Sequence, residues 1–160
     1  MLGPDRYVAR LAQIPHGELE ASGFRGLIVD LDNTLLGFAQ TELGEDHLAW
    51  VQEAKKRGFG LVMVSNNFTD RVTSVAAQLG IPCVPNALKP LPFGMMRAMR
   101  MLALPRRQIA VIGDQLFTDV LSGKICGLYT ILTEPIESKD FVITKVFRFL
   151  ERLMLPQRPS

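Results

Sequence analysis

Five short runs are apolar almost throughout: GLIVD at 26–30, GLVMV at 60–64, IPCV at 81–84, QIAVI at 108–112 and GLYTIL at 127–132. Unbroken apolarity, in place of alternation, suits strands buried on both faces, and such strands occur in parallel sheets covered by helices. The segments between them have helical period. Glu45 to Arg57 runs to Gly58, a C′ glycine; Thr69 to Leu79 opens on Thr69 and Asp70 and stops at Gly80; Pro92 suits the first turn of a helix reaching about Ala103. The alternation predicts an α/β fold, a three-layer Rossmann-like parallel sheet with helices on both faces. We expect one domain over residues 1–160: an N-terminal helical segment at 1–20, a central α/β core at 24–133 and an amphipathic C-terminal helix at 139–155.

A chain of this length buries a sufficient core without disulfides or a structural metal. Cys83 and Cys126 lack the C-x-x-C spacing of zinc and redox sites and read as small packed thiols in a reducing compartment. The start MLGPDRYVAR has no signal-peptide pattern, and no apolar run approaches the length of a spanning helix. The expected location is cytoplasmic, with peripheral contact at the inner membrane surface as an option. A net charge of +2 gives no argument for nucleic acid; residues 139–160 carry +3 and the rest of the chain −1, which places the basic excess in the tail. Met95, Met96, Met99 and Met101 crowd the third helix and read as adaptable packing, not as a metal or cofactor site. His16 and His47 stand alone, as surface or satisfied residues.

The chemistry is carried by what ends each strand. The first run ends in Asp30, followed by Asp32 and Thr34 in DLDNT; Asp30 and Asp32 share parity, so an extended backbone points both carboxylates to one side. Two acids at a strand tip can bind a hard cation, or divide covalent chemistry between a nucleophile and a general acid/base. The second run ends VSNN, where the Ser65 hydroxyl and the backbone N–H groups of Asn66 and Asn67 precede a helix, an arrangement suited to an anion. Lys89, followed by Pro90, is held out of helical geometry and can aim its ammonium at a phosphate. The fourth run ends GDQLFTD, with Asp114 at the tip and Asp119 in the following turn, both oxygen ligands acceptable to magnesium. In open parallel sheets ligands sit at the carboxyl ends of strands, where these residues fall.

This set resembles the haloacid dehalogenase superfamily of phosphohydrolases over residues 24–133, through DLDNT, Ser65, Lys89 and the Asp114 with Asp119 pair. VSNN, the Lys-Pro pair and GDQLFTDV are more narrowly similar to the YqeG-type class III phosphatases, related to phosphatidylglycerophosphate phosphatases. The resemblance implies an Mg²⁺-dependent phosphomonoesterase working through an aspartyl-phosphate. It makes Asp30 the nucleophile and Asp32 the acid/base; Ser65, Asn66 and Lys89 hold the phosphate, Thr34 orients, and Asp30, the Asp32 carbonyl, Asp114 and Asp119 serve the metal.

No cap domain has room to insert, since thirty residues separate Thr34 from Ser65 and twenty-one separate Asn67 from Lys89. An open site fits phosphate on something large, such as the lipid headgroup of phosphatidylglycerophosphate, or a small soluble sugar- or nucleotide-phosphate if an oligomer closes it. From Phe141 to Leu155, Lys145, Arg148 and Arg152 share one helical face opposite Ile143, Phe147 and Leu150, which fits either core packing or a peripheral membrane contact. A phosphoacceptor receiver domain uses similar residues but places its acceptor Asp on the third strand and its Lys after the fifth, an order this chain lacks.

Overall fold

The computed structural model describes residues 3–37, 40, 42–67 and 69–136. Six parallel strands, β1 (Arg6–Val8), β2 (Gly26–Asp30), β3 (Gly60–Val64), β4 (Cys83–Val84), β5 (Ile109–Gly113) and β6 (Tyr129–Thr133), form one sheet in the order β1-β6-β5-β2-β3-β4. Among the described residues five α-helices accompany them: α1 (His16–Ala21), α2 (Glu45–Lys56), α3 (Asp70–Leu79), α4 (Phe93–Leu102) and α5 (Leu121–Ile125). The α/β fold with a Rossmann-like parallel sheet is the one the apolar runs predicted.

Strand parity sorts the core into two layers. Leu27, Val29, Leu61, Met63, Ala110 and Ile112 face one way, into a cluster completed by Trp50, Val51 and Ala54 of α2 and Val72, Val75 and Leu79 of α3. Ile28, Val62, Val64 and Val111 face the other way, against Met95 and Ala98 of α4. The chain winds outward from β2 in both directions, so the order reverses between β2 and β5, where Gly26 through Val29 pair with Ile109 through Ile112. That reversal leaves a crevice at the carboxyl ends of β2 and β5, the place where such sheets bind ligands.

Element ends follow local chemistry. Gly58 and Gly80 have positive φ after α2 and α3, as C′ glycines do. Gly127 does the same after α5, with its N–H on the Lys124 carbonyl, and this delays β6 to Tyr129.

The N-terminal segment departs from the helical expectation. Tyr7 and Val8 lie on edge strand β1, which pairs with Ile131 to Thr133; the Asp5 carboxylate accepts hydrogen bonds from the Thr130 N–H at 2.8 Å and its hydroxyl at 3.1 Å. The spacing of Val8, Leu11 and Ile14 imitated a helix, but only His16–Ala21 is α-helical there, after Pro15. The tail helix expected at 139–155 lies outside the described residues. His16 is satisfied by the Trp50 carbonyl at 2.9 Å and stacks on its ring; His47 is buried beside Asp46, and burial holds its imidazole below the ordinary value although Asp46 opposes this. Both cysteines are free thiols.

The methionines of α4 divide. Met95 is 0% exposed on the sheet, whereas Met101 is 42% exposed. Met95→Ala should therefore cost about 2–5 kcal/mol in urea unfolding, and Met101→Ala should stay within about 0.5 kcal/mol of the parent. Equal losses would contradict the packing described.

Candidate active site

Asp30 ends β2 inside the crevice, 4% exposed, and Asp114 follows β5, 2% exposed. Asp119 reaches the same point by a different route. After β5 the chain enters a π-helical turn, Leu116–Val120, which swings Asp119 back over the strand end. Gly113 makes room for it: a Cβ there would lie 2.3 Å from the Asp119 Cγ. Carboxylate oxygens of Asp30, Asp114 and Asp119 fall within 4.8 Å of one another, all buried.

Lys89 enters this cluster from the loop between β4 and α4. Its Nζ donates to Asp30 Oδ1 at 2.6 Å and to Asp119 Oδ1 at 2.5 Å. The loop is fixed by Asn66, whose amide accepts from the Lys89 N–H at 2.8 Å and donates to the Lys89 carbonyl at 3.1 Å. Burial alone would lower the Lys89 ammonium; Asp119 and Asp30 outweigh it and hold the group above its ordinary value. Burial pushes the Asp30 carboxyl well above the usual carboxylate range, and Asp119 and Asp114 add to this against Lys89. Three carboxylates against one ammonium leave a deficit of two positive charges when all are ionised. A divalent cation with a preference for oxygen ligands fits both the donor set and that deficit.

Asp32 belongs to a second group on the β3 side. Its Oδ2 accepts from the Ser65 hydroxyl and the Asn67 side-chain amide, each at 2.9 Å, and its Oδ1 accepts from Arg71 at 2.8 Å. Thr34 is buried, with its hydroxyl 3.5 Å from Asp30 Oδ2. The structure thus brings together every residue singled out by the motifs, in two adjoining groups.

Three details were not anticipated. The Asn67 N–H, expected to face an anion, donates instead to Ser65 Oγ at 3.1 Å. The Asn66 side chain serves Lys89. Arg71, in the first turn of α3, spans the Asp32 carboxylate and the Gly37 carbonyl at 2.7 Å. Its signal in the sequence was only its position, one turn into a helix that starts beside the strand-tip loop.

A family model described as haloacid dehalogenase-like hydrolase matches residues 1–127. The chain belongs to the haloacid dehalogenase-like hydrolases. It is 38% identical over 152 residues to "Probable phosphatase YqeG" of Bacillus subtilis, covering 95% of this chain and 88% of that one. It is 30% identical over 129 residues to the chloroplastic phosphatidylglycerophosphate phosphatase 1 of Chlamydomonas reinhardtii, covering 74% of this chain and 47% of that protein. The cobalt-bound deoxy-D-mannose-octulosonate 8-phosphate phosphatase of Haemophilus influenzae superposes with a TM-score of 0.59 at 16% identity, over 70% of this chain and 69% of that one, and so shares the fold. The corresponding phosphatase of Moraxella catarrhalis, solved with magnesium and phosphate, superposes at 0.51 with 20% identity over 62% of this chain and 64% of that one. This haloacid dehalogenase-like hydrolase is a phosphatase, and its buried acidic cluster fits the divalent metal that such phosphatases use.

Magnesium at about a hundred times its Kd should add roughly 2.7 kcal/mol of stability, read as a rise in melting temperature. Asp114→Asn should lose that rise, and so should Gly113→Ala, whose methyl would displace Asp119. A full rise in both variants would place the metal elsewhere.

Proposed function

We propose that the chain is a magnesium-dependent phosphomonoesterase that dephosphorylates phosphatidylglycerophosphate through an aspartyl-phosphate on Asp30. The observation that carries the mechanism is the Lys89 ammonium lodged between Asp30 and Asp119, opposite a second group holding Asp32 and Ser65. A phosphoryl group entering between the two groups meets a carboxylate nucleophile, an ammonium and a hydroxyl at once.

In the first step an Asp30 carboxylate oxygen attacks phosphorus. The bond from phosphorus to the leaving oxygen breaks, and protonated Asp32 gives its proton to that oxygen. In the second step the Asp32 carboxylate takes a proton from water as the water oxygen attacks the aspartyl-phosphate, releasing inorganic phosphate and restoring Asp30. Lys89 and Ser65 trade their contacts with Asp30, Asp119 and Asp32 for the non-bridging oxygens, and the Asn66 N–H adds a donor. Asp30, the Asp32 carbonyl, Asp114 and Asp119 would hold Mg²⁺, which offsets charge on the transferring phosphoryl group. Arg71 and Asn67 set the orientation of Asp32.

Two observations support a lipid-borne substrate. Among the described residues the connections above the site are short, fourteen residues from β2 to α2 and eight from β4 to α4, so no inserted domain covers it. The algal relative, and a second from Arabidopsis thaliana at 23% identity, are named phosphatidylglycerophosphate phosphatases, although this chain spans under half of either.

Asp30→Asn should lower hydrolysis of an aryl phosphate by roughly a thousandfold or more, with circular dichroism unchanged. Asp32→Asn should slow turnover by about 10²–10⁴ and, with a good leaving group, let phosphate accumulate on Asp30, where mass spectrometry would find it. Phosphate on Ser65 would refute the mechanism. Turnover of phosphatidylglycerophosphate in micelles should exceed that of sugar- and nucleotide-phosphates; the opposite ranking would favour a soluble substrate.

A further inference from the structure

From Arg71 to Gly113 the chain has six Lys or Arg residues and no Asp or Glu. Arg71 and Lys89 are consumed by the active site. The other four, Arg97 and Arg100 on α4 and Arg106 and Arg107 in the turn after it, are exposed, and none pairs with a carboxylate among the described residues. The basic excess of the tail therefore has a counterpart in the folded core.

The same region holds the exposed large apolar side chains. Six appear among the described residues: Leu88, Leu91, Phe93, Met96 and Met101 in or just before α4, and Ile125 at the end of α5. Met96 and Ile125 line one groove of about 480 Å³ with Arg100 and Arg106. Leu88 and Leu91, 53% and 51% exposed, flank buried Lys89 in one turn, closed by the Leu91 N–H on the Leu88 carbonyl at 2.9 Å; Phe93 follows, 66% exposed. Leu88 also sits at φ 57°, a strained setting for a leucine left half exposed. Apolar patches of this kind mark interaction sites.

We propose that this face, the 88–93 lip with the arginines of α4 and its following turn, docks on an anionic lipid bilayer. The charge singles out this occupant: four cations that are unpaired among the described residues, on a 71–113 stretch without a carboxylate, complement a continuous negative surface, and the lip supplies what enters the headgroup layer. The lip adjoins the loop that delivers Lys89 to Asp30, so docking there would set the mouth of the site against the surface. The inference rests on the reading of a lipid-borne substrate for its purpose, and on the patch alone for its place.

The test is flotation of the full chain with vesicles of phosphatidylcholine, with and without phosphatidylglycerol. The chain should bind only the anionic vesicles, and salt should release it. Arg97→Gln, Arg100→Gln and Arg107→Gln together should weaken binding by roughly fivefold per arginine, about a hundredfold in all. Phe93→Ser should weaken it by roughly tenfold, and both variants should keep the parent's melting temperature and its hydrolysis of a soluble aryl phosphate. As a comparison, Lys145→Gln, Arg148→Gln and Arg152→Gln alter the tail alone. Binding lost only in the tail variant would overturn the proposal. So would a parent chain that floats free of anionic vesicles, or one that is a dimer which Phe93→Ser splits and which ignores vesicles. Vesicle binding through this face without turnover of phosphatidylglycerophosphate would uphold the surface and refute the substrate; turnover in micelles without vesicle binding would do the reverse.

Discussion

The shared ammonium of Lys89 is the contact on which the arrangement of the site depends. Three buried carboxylates lie within 4.8 Å of one another. Each ionised pair at such a spacing repels by roughly 3–4 kcal/mol at an effective dielectric of about 20. One cation bonded to two of the three makes the cluster tolerable, and its delivery organises much around it. Asn66 fixes the loop, Gly113 clears space for Asp119, and the π-helical turn aims that carboxylate. The charge still missing is what suits the pocket to a divalent metal. A site satisfied by its own side chains would have little reason to take up either a cation or a phosphate.

The β-strand ends were legible because each is a one-dimensional pattern, an apolar run that stops at a polar residue. Asp30, Ser65 and Asp114 could be placed at one sheet edge from that pattern alone. Arg71 and the side chain of Asn66 could not. Their importance lies in partners 39 and 23 residues away, and neither spacing repeats any local period. Gly113 was visible as part of a GD turn, but its reason, the carboxylate packed where a methyl would be, exists only in three dimensions.

Sheet edges carry the least pattern in the sequence. β1 has three residues, too few for a period, and its Val8, Leu11 and Ile14 are spaced as a helix would space them. Its place is set by β6 and by Asp5, contacts more than a hundred residues apart in sequence. The methionine cluster was read as packing, which holds for Met95 on the sheet; Met96 and Met101 instead stand on the outer side of α4. Periodicity could show that α4 has two faces, but not that the outer one lacks a covering element among the described residues. Counting charge over the whole tail likewise hid a stretch of 43 residues without a single carboxylate.

An uncapped phosphatase site has a physical difficulty. Ammonium and carboxylates act most strongly where water is excluded, and among the described residues no inserted domain covers the site. Asp30, Asp114 and Asp119 are already buried by the fold, so what remains to be shielded in the proposed mechanism is the side of the leaving group. A large substrate, or the surface that carries it, can close that side without any cap. The asymmetry of the rim is consistent with this. Polar groups on the Asp32 side are tied to one another through Ser65, Asn67 and Arg71, while the Lys89 side ends in Leu88, Leu91 and Phe93, which gain most from whatever removes them from water. Exclusion of water would then come from the partner that brings the phosphate, and the enzyme would need to supply only a rim able to hold it.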